Sequence, residues 1–231
     1  LNMSIGGFPG GSGGGTTTVD KTSLFVGETN ASRPLIQKIL QDPRYKRMYT
    51  AHVRTFCNEF IANREYENIA KKLQTFVDSL VKTDPNSLTS YSAFQSSLTA
   101  PILSGGGPMG SRPGISTLMD ARLAYFRTIA EFNATAPSIT DIKWESAQIA
   151  IIGDTAWLNA SVSNVNYAYC AFRKNRFDIF SKYQMYDDGL HHDGLAGDHV
   201  FGMYFIPTGN KTQYYIYAEN NNTGIFSPER A

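Results

Sequence analysis

The chain has 231 residues, a hydrophobic fraction of 42% and a formal net charge of +1. This length allows one large domain or two small ones, and the apolar content is enough for a buried core. A net charge this close to zero gives no reason to expect binding to nucleic acid or to another polyanion. No run approaches the ~18 consecutive apolar residues of a membrane span, so the sequence predicts none.

Residues 1–20 are rich in glycine, serine and threonine, but their glycines match neither G-x-G-x-x-G nor G-x-x-x-x-G-K-[ST]. We interpret this segment as a flexible surface loop. Its start, Leu1-Asn2-Met3-Ser4, lacks the charged and apolar regions of a signal peptide. The absence of an initiator methionine suggests a processed, excised or fragmentary chain.

Residues 32–132 carry apolar side chains at the three- and four-residue steps of amphipathic helices. Ser32 is a candidate N-cap for the first helix and Asp42 for the second, and each is followed closely by a proline, which suits a first turn. Three further helices are predicted, covering residues 66–80, 91–98 and 115–132.

The side chains on these apolar stripes are expected to form a buried core, which is the usual role of such a pattern. His52 is expected to pack within it rather than to ligate a metal. The charged residues off the stripes, among them Arg44 and Arg47, predict a solvated face. The stripe residues include Leu35, Ile36, Ile39, Ile69, Leu73, Phe76 and Leu80.

A change from helical to two-residue periodicity falls close to Pro137. Roughly seven short strands follow, with turn-forming residues about every eight to twelve positions, which is typical of an antiparallel β-sandwich of immunoglobulin-like size. The predicted domains are therefore a glycine-rich segment at 1–20, a helical block at 21–136 and a β-sandwich at 137–231.

The two cysteines fall in different predicted elements, Cys57 in a helix and Cys170 in a strand. Two buried free thiols and an interdomain disulfide would both fit this placement. The spacing of the cysteines matches no metal-binding or redox motif.

Residues 185–207 are dense in Asp-Gly and Gly-Asp pairs, which favour tight turns. They lie between a strand predicted to end near Tyr186 and another predicted to begin near Val200. Aspartates in such turns could accept backbone N–H bonds and fix a long hairpin. They could instead ligate calcium, which takes carboxylate and carbonyl oxygens, although their spacing is not that of an EF-hand. A zinc site would require His191 and His192 in suitable geometry. The candidate metal ligands are Asp187, Asp188, Asp193 and Asp198.

Several segments resemble the CotH family, atypical kinase-like proteins named after a spore-coat protein. The start Leu1-Asn2-Met3-Ser4-Ile5-Gly6-Gly7-Phe8 resembles the end of the family's Asp-Leu-Asn/Asp-x-x-x-Gly segment. Residues 33–49 resemble its "Arg-Pro-Leu … Asn/Asp-Pro-x-Tyr-x-x-x-Tyr" helices. The helix with Arg122 and Phe126 resembles its closing Arg-x-x-Phe/Leu helix. Residues 185–207 resemble an Ig-like module that often follows a CotH domain in secreted bacterial proteins.

This resemblance implies an α+β fold, in which a multi-helix C-terminal subdomain of a kinase-like fold is followed by an antiparallel Ig-like β-sandwich. It implies ATP- and Mg²⁺-dependent phosphoryl transfer to protein in the intact parent. The nucleotide-binding lobe would precede Leu1, so the chain alone is not expected to be catalytic. Because other members of the family are extracellular surface proteins, the alternative is a non-catalytic structural or adhesive module.

The resemblance also bears on the site residues and the location. Asn2 matches the second position of the family's metal-binding segment, which implies a metal or nucleotide contact in the parent; an ordinary residue at a strand end is the alternative. No catalytic residue is predicted within the chain. The expected location is extracellular or at the cell surface, with a protein substrate or a surface partner. Trp144 and Trp157 would also suit a carbohydrate-binding sandwich, but a buried core explains them better.

Overall fold

The computed structural model describes residues 19–102, 112–145, 152–207 and 212–230. Within these ranges the chain has an α+β fold, with six α-helices followed by seven strands. The helices are α1 Pro34–Gln41, α2 Pro43–Phe56, α3 Glu65–Thr83, α4 Tyr91–Ser96, α5 Ile115–Phe126 and α6 Ala130–Asn133. The strands are β1 Ser138–Trp144, β2 Ala156–Ser163, β3 Tyr167–Arg173, β4 Ser181–Gln184, β5 Val200–Phe205, β6 Gln213–Glu219 and β7 Gly224–Ser227. A 3-10 turn at Val19–Lys21 precedes α1, and a π-helical segment at Cys57–Ala62 extends α2.

The sequence predicted the N-cap of α2 correctly and the N-cap of α1 incorrectly. Asp42 caps α2 as predicted, since its carboxylate accepts hydrogen bonds from the backbone N–H groups of Arg44 at 2.9 Å and Tyr45 at 3.2 Å. The prediction of Ser32 as the cap of α1 is wrong: the N-cap is Arg33, whose side chain makes no capping bond. The proline that follows Arg33 fixes the first turn without a side-chain cap.

The last predicted helix, residues 115–132, is divided into α5 and α6. The Thr128 hydroxyl donates a hydrogen bond to the Tyr125 carbonyl at 2.7 Å, and the Asn133 amide donates to the Arg127 carbonyl at 2.6 Å. Side chains thus satisfy carbonyls that a continuous helix would bond through its backbone. The chain therefore turns between α5 and α6.

No helix in the described ranges is long and apolar enough to cross a membrane.

The strands form two antiparallel sheets, with orders β1-β2-β5 and β4-β3-β6-β7. A single buried cluster joins their inner faces, with Leu158 and Met203 from the first sheet and Cys170 and Ile216 from the second. Trp144 packs against this cluster, as the core interpretation of that tryptophan predicted.

The outer face of the four-stranded sheet is covered by α2. Side chains of β3 alternate between two clusters: Cys170 faces the inner core, whereas Tyr169 and Ala171 pack with Ala51 of α2. The sheet is therefore the middle layer of three, between the three-stranded sheet and the helices. Burial on both faces explains why β3 is almost continuously apolar rather than alternating.

The helices enclose their own buried cluster, but the prediction that every apolar stripe is buried is wrong. Leu35 on α1 is 72% exposed and Phe76 on α3 is 80% exposed. No residue of α3 is buried, because no described element covers its apolar stripe. The buried cluster consists of Leu24, Cys57, Ile61, Leu123, Phe126 and Phe132.

Both cysteines are free thiols, buried in separate clusters. Burial raises the pKa of the Cys57 thiol to about 11 and raises the pKa of Cys170 further. Because each thiol remains protonated at neutral pH, these cysteines act as packing residues.

Candidate functional site

The aspartate loop, residues 187–199, carries the four predicted metal ligands and connects the two sheets. The strands on either side of it, β4 and β5, belong to different sheets, so the predicted long hairpin is wrong. They meet at a single bridge, in which Tyr186 and Gly202 exchange backbone N–H···O bonds of 2.9 and 2.7 Å. The loop therefore spans the side of the sandwich, from one sheet to the other.

Asp193 is the buried centre of this loop, with 1% of its surface exposed. Its carboxylate accepts three backbone N–H bonds, from Asp188 at 2.6 Å, Gly189 at 2.9 Å and His191 at 2.8 Å. Burial alone would raise the pKa of Asp193, but these hydrogen bonds outweigh it and lower the pKa below its ordinary value. The carboxylate stays ionised and organises the first half of the loop.

Asp187 and Asp198 organise the second half in the same way. Asp187 accepts backbone N–H bonds from Gly197 at 2.8 Å and His199 at 3.1 Å. Asp198 accepts two more, at 3.0 and 2.9 Å, from residues three positions before it and two positions after it. The Asp198 bond with the N–H two positions on is the turn chemistry that the sequence predicted for an aspartate beside glycine. The Asp187 bonds instead reach 10 and 12 positions along the chain and close the loop on itself.

Asp188 joins the loop to an aromatic pair. Its Oδ1 is 2.8 Å from Nδ1 of His191, and it also accepts the backbone N–H of Leu190 at 2.9 Å. The bond with His191 is the main cause that lowers the pKa of Asp188. The imidazole stacks on the Tyr186 ring, with 4.5 Å between the ring centroids. His191 thus serves as a packing residue whose orientation Asp188 fixes.

His192 has an equivalent arrangement on the outer face of the three-stranded sheet. Its ring lies 4.1 Å from the Trp157 ring at an interplanar angle of 5°, and its Nδ1 lies 2.5 Å from Oε2 of Glu145. Trp157 therefore lies outside the core, unlike Trp144. The prediction that buried core explains both tryptophans is wrong for Trp157, because the alternation of β2 directs it outward.

The geometry of the loop favours the turn-forming role of its aspartates over ligation of a metal. Each carboxylate is directed at N–H groups, which a cation would have to displace. Across the part of the chain that the structure describes, no three His, Cys, Asp or Glu side chains converge as a metal-holding group. The calcium and zinc interpretations stay predictions. Asn2, the candidate metal or nucleotide contact, lies outside the described residues.

A second polar site lies between α2 and β6. Glu219, 4% exposed, receives two hydrogen bonds from the Arg47 guanidinium, Nη2 to Oε1 at 2.9 Å and Nε to Oε2 at 3.0 Å. The Tyr217 hydroxyl donates to Oε2 at 2.8 Å, and Arg44 lies 3.5 Å from Oε1. Burial would raise the pKa of Glu219, but the bonds from Arg47 and Tyr217 lower it below its ordinary value. This cluster holds the helical layer on the sheet.

A third arginine of α2 extends the same contact. The Arg54 Nε donates to the carbonyl of Phe132 at 3.2 Å, and its Nη2 donates to the hydroxyl of the fully buried Thr223. Because Thr223 lies at the turn between β6 and β7, Arg54 ties both α6 and that turn to α2.

The sequence interpretation missed this arginine cluster, since it placed Arg44 and Arg47 on a solvated face. A pattern that could have revealed it is present: Arg44, Arg47 and Arg54 recur at helical spacing and share one face of α2. The other half of the pattern is an acidic residue, Glu219, that ends β6 after a run of apolar residues.

In comparisons of the chain with known proteins, no family model, no curated protein and no solved structure matches it.

Proposed function

We propose that the chain is the C-terminal part of a secreted, CotH-like atypical protein kinase. In the intact parent, a nucleotide-binding lobe that precedes Leu1 would supply ATP- and metal-dependent phosphoryl transfer to protein. The chain by itself would not catalyse this reaction. The observation that carries the proposal is the uncovered apolar surface of α3.

This surface follows one face of a 19-residue helix. Soluble domains bury such stripes, because covering one large apolar side chain contributes about 2 kcal/mol of stability. A stripe that no described element covers is what a subdomain separated from the rest of its fold would present. The exposed side chains of the stripe are Ile69, Leu73, Phe76 and Leu80.

The β part supports the second half of the proposal, an Ig-like module after the kinase-like helices. Two antiparallel sheets of three and four strands, ordered β1-β2-β5 and β4-β3-β6-β7, are the arrangement that a sandwich of this kind requires. The size of the β part, seven strands within residues 138–227, agrees with that class.

The alternative function is a non-catalytic extracellular module that spaces or attaches a partner. It is favoured by the aspartate loop, whose carboxylates are all occupied by hydrogen bonds that shape the loop. It is also favoured by the Arg47–Glu219 contact, which joins the helices and the sandwich in a fixed arrangement.

The experiment compares this chain with a longer one that includes the preceding region of its parent. We expect the longer protein to bind ATP in the presence of Mg²⁺ and to transfer phosphate to protein, and the present chain to do neither. Phe76→Ser should leave the stability of the present chain within about 0.5 kcal/mol, as for other exposed positions. In the longer protein it should cost about 2 kcal/mol or more, because the preceding lobe would bury the ring.

Two results would contradict the proposal. The first is a longer protein that binds no nucleotide, which would leave the extracellular module as the better function. The second is an equal effect of Phe76→Ser in both proteins, since α3 would then be uncovered in the parent as well. Thr75→Ser, which introduces serine at another exposed position of the same helix with little change in helix propensity, is the matched control.

A further inference from the structure

The strands β4 and β5 are edge strands of different sheets, and they diverge from one shared point. That point is the Tyr186–Gly202 bridge at the start of the aspartate loop. On its far side the two edges separate, since each strand pairs only with its inner neighbour, β3 or β2. Among the residues that the structure describes, none fills the side of the sandwich between them.

Both edges direct backbone hydrogen-bonding groups into this opening. Gly202 uses its N–H and C=O for the bridge, so alternation directs those of Tyr204 the same way, away from β2. On the other strand Met185 bonds back to β3, so Gln184 and Lys182 direct their N–H and C=O outward. No described residue forms a hydrogen bond with these outward groups.

The opening is a continuous groove with aromatic walls. Its two adjoining parts, with volumes of about 410 and 340 Å³, share Tyr183, Phe205 and Ile206 as lining residues. Near the bridge the groove is lined by Tyr186, and at its far end by Ile179, which is 94% exposed. Large apolar side chains that remain exposed beside free strand edges indicate a surface for a partner.

The far end of the groove is basic. Lys174 lines it there, with Arg173, Arg176 and Lys182 on the adjacent chain. The Arg173 guanidinium donates to Oε1 of Gln213 at 2.8 Å and lies over the Phe180 ring, on the face of the sheet toward α2. None of these four side chains forms an ion pair with an acidic side chain in the ranges that the structure describes. The nearby carboxylate of Asp178 accepts hydrogen bonds from Asn175 instead. This end of the groove therefore favours a negatively charged partner.

We propose that this groove binds an extended peptide segment of a partner protein, in which apolar and acidic residues alternate. The peptide backbone pairs with the outward groups of Gln184 and Tyr204 as an added strand. Its apolar side chains enter the groove between Tyr183 and Phe205. Its acidic side chains, on the opposite face of the added strand, lie beside Lys182 of β4, next to the basic end of the groove at Lys174.

A second copy of this chain is a poorer occupant than an acidic peptide. Pairing β4 with β4 of another copy would bring Lys182 and its basic neighbours against the same residues of the other copy, and like charges in register repel. A lysine on a short edge strand is a recognised protection against such self-pairing. The same lysine attracts an acidic strand.

The test uses two fluorescently labelled peptides of the same length, one alternating glutamate with valine and the other alternating lysine with valine. Fluorescence anisotropy is measured with the whole chain at low salt and again at about 0.5 M salt, where surface charges are screened. We expect only the acidic peptide to bind, and salt to weaken its binding. Equal binding of both peptides, or no binding of either at millimolar protein, overturns the proposal.

Two pairs of variants separate the backbone contribution from the charge contribution. Gln184→Pro removes an outward N–H that bonds no described residue, which an edge strand tolerates, whereas Gln184→Ala retains it. We expect the proline variant to bind the acidic peptide about tenfold more weakly than the alanine variant, a difference of about 1.4 kcal/mol in binding free energy. Equal affinity would rule out strand addition, and thermal unfolding verifies that both variants fold.

Lys174→Glu tests the charge at the far end of the groove. It should weaken binding of the acidic peptide by about tenfold or more and allow some binding of the lysine peptide. Lys72→Glu changes the net charge equally on the distant helix α3 and should leave binding unchanged. If both variants weaken binding to the same extent, the peptide responds only to net charge and the proposed site is wrong.

Discussion

Arg47 of α2 and Glu219 of β6 lie 172 positions apart in the chain and are joined by two parallel hydrogen bonds of 2.9 and 3.0 Å. Paired bonds of this kind fix the angle as well as the distance between a guanidinium and a carboxylate. Since Glu219 is buried, its charge is tolerated only while Arg47 and Tyr217 stay in place. The pair therefore determines how the helical layer lies on the sheet.

Removing the charge of Glu219 should destabilise the protein strongly. Glu219→Gln keeps the size of the side chain but leaves the Arg47 guanidinium without an anionic partner. We expect a loss of about 3 kcal/mol in the free energy of unfolding, measured by urea denaturation. Asp154→Asn, at an exposed turn position, is the control and should cost less than about 0.5 kcal/mol. A loss for Glu219→Gln as small as the control's would show that the pair adds nothing to stability.

The same carboxylate should make stability depend on acid pH. The pKa of Glu219 lies below its ordinary value of 4.5 in the folded protein, because Arg47 and Tyr217 favour the ionised form over the effect of burial. The unfolded chain binds the proton more readily, so this contribution is complete above the ordinary pKa and is lost as the pH falls through the folded pKa. The free energy of unfolding is measured by urea denaturation at a series of pH values. We expect it to fall less steeply between about pH 5 and pH 3 for Glu219→Gln than for the native chain. Parallel curves would contradict this assignment.

Gly202 should not tolerate a side chain. A Cβ at this position would lie 2.1 Å from the carbonyl oxygen of His191, where the aspartate loop crosses β5. Gly202→Ala should therefore cost about 3 kcal/mol or more, since backbone atoms must move. Gly197→Ala is the matched comparison: its φ of +80° is strained for alanine, but no atom lies within 4 Å of the added carbon. That variant should cost only about 1 kcal/mol.

Asp193 should prove to be a structural anion. Asp193→Asn is nearly isosteric, but it replaces one carboxylate oxygen by an N–H₂ group that faces backbone donors. We expect a loss of about 2 kcal/mol in the free energy of unfolding, because hydrogen bonds to a buried charged acceptor are replaced by a donor facing donors. Amide exchange at Gly189 and His191 should accelerate in this variant. Unchanged exchange there would mean that these N–H groups do not depend on the carboxylate.

Calcium provides a separate test of the aspartate loop. Because the four carboxylates are directed at backbone N–H groups, we expect about 1 mM calcium to leave the melting temperature unchanged. A rise of several degrees that disappears in Asp187→Asn would instead establish calcium ligation. Magnesium at the same concentration controls for the general effect of a divalent salt.

The periodicity of the sequence predicted most of the elements but not how they pack. The start of α2 at Pro43 and the alternation of β2 depend on nearby residues, so a local pattern is enough to reveal them. The exposure of Phe76 and the burial of Glu219 depend on what lies opposite them in space. Hydrophobic spacing identifies an apolar face without identifying its partner, and this is why α3 was expected in the core.

In the candidate site, too, the sequence predicted the features that depend on nearby residues and missed those that depend on packing. Asp-Gly and Gly-Asp pairs predicted tight turns, and the bonds that Asp188 and Asp198 each accept from the N–H two positions on confirm that role. The assignment of β4 and β5 to one hairpin failed, because a loop rich in turns gives no information about which sheet its two ends join. The placement of Trp157 outside the core could have been inferred, since it alternates with the buried Leu158.

Because both faces of β3 are buried, the strands cannot be separated from the helices at Pro137 without exposing apolar side chains. Tyr169, Tyr217 and Phe226 would all meet water if the region after Pro137 were produced without α2. In such a truncated product, one face of the four-stranded sheet would expose its aromatic side chains to solvent. Glu219 on the same face would lose its partner Arg47. Recombination or domain grafting at that proline should therefore give an aggregating protein, whereas a transfer that includes residues 43–56 should remain workable.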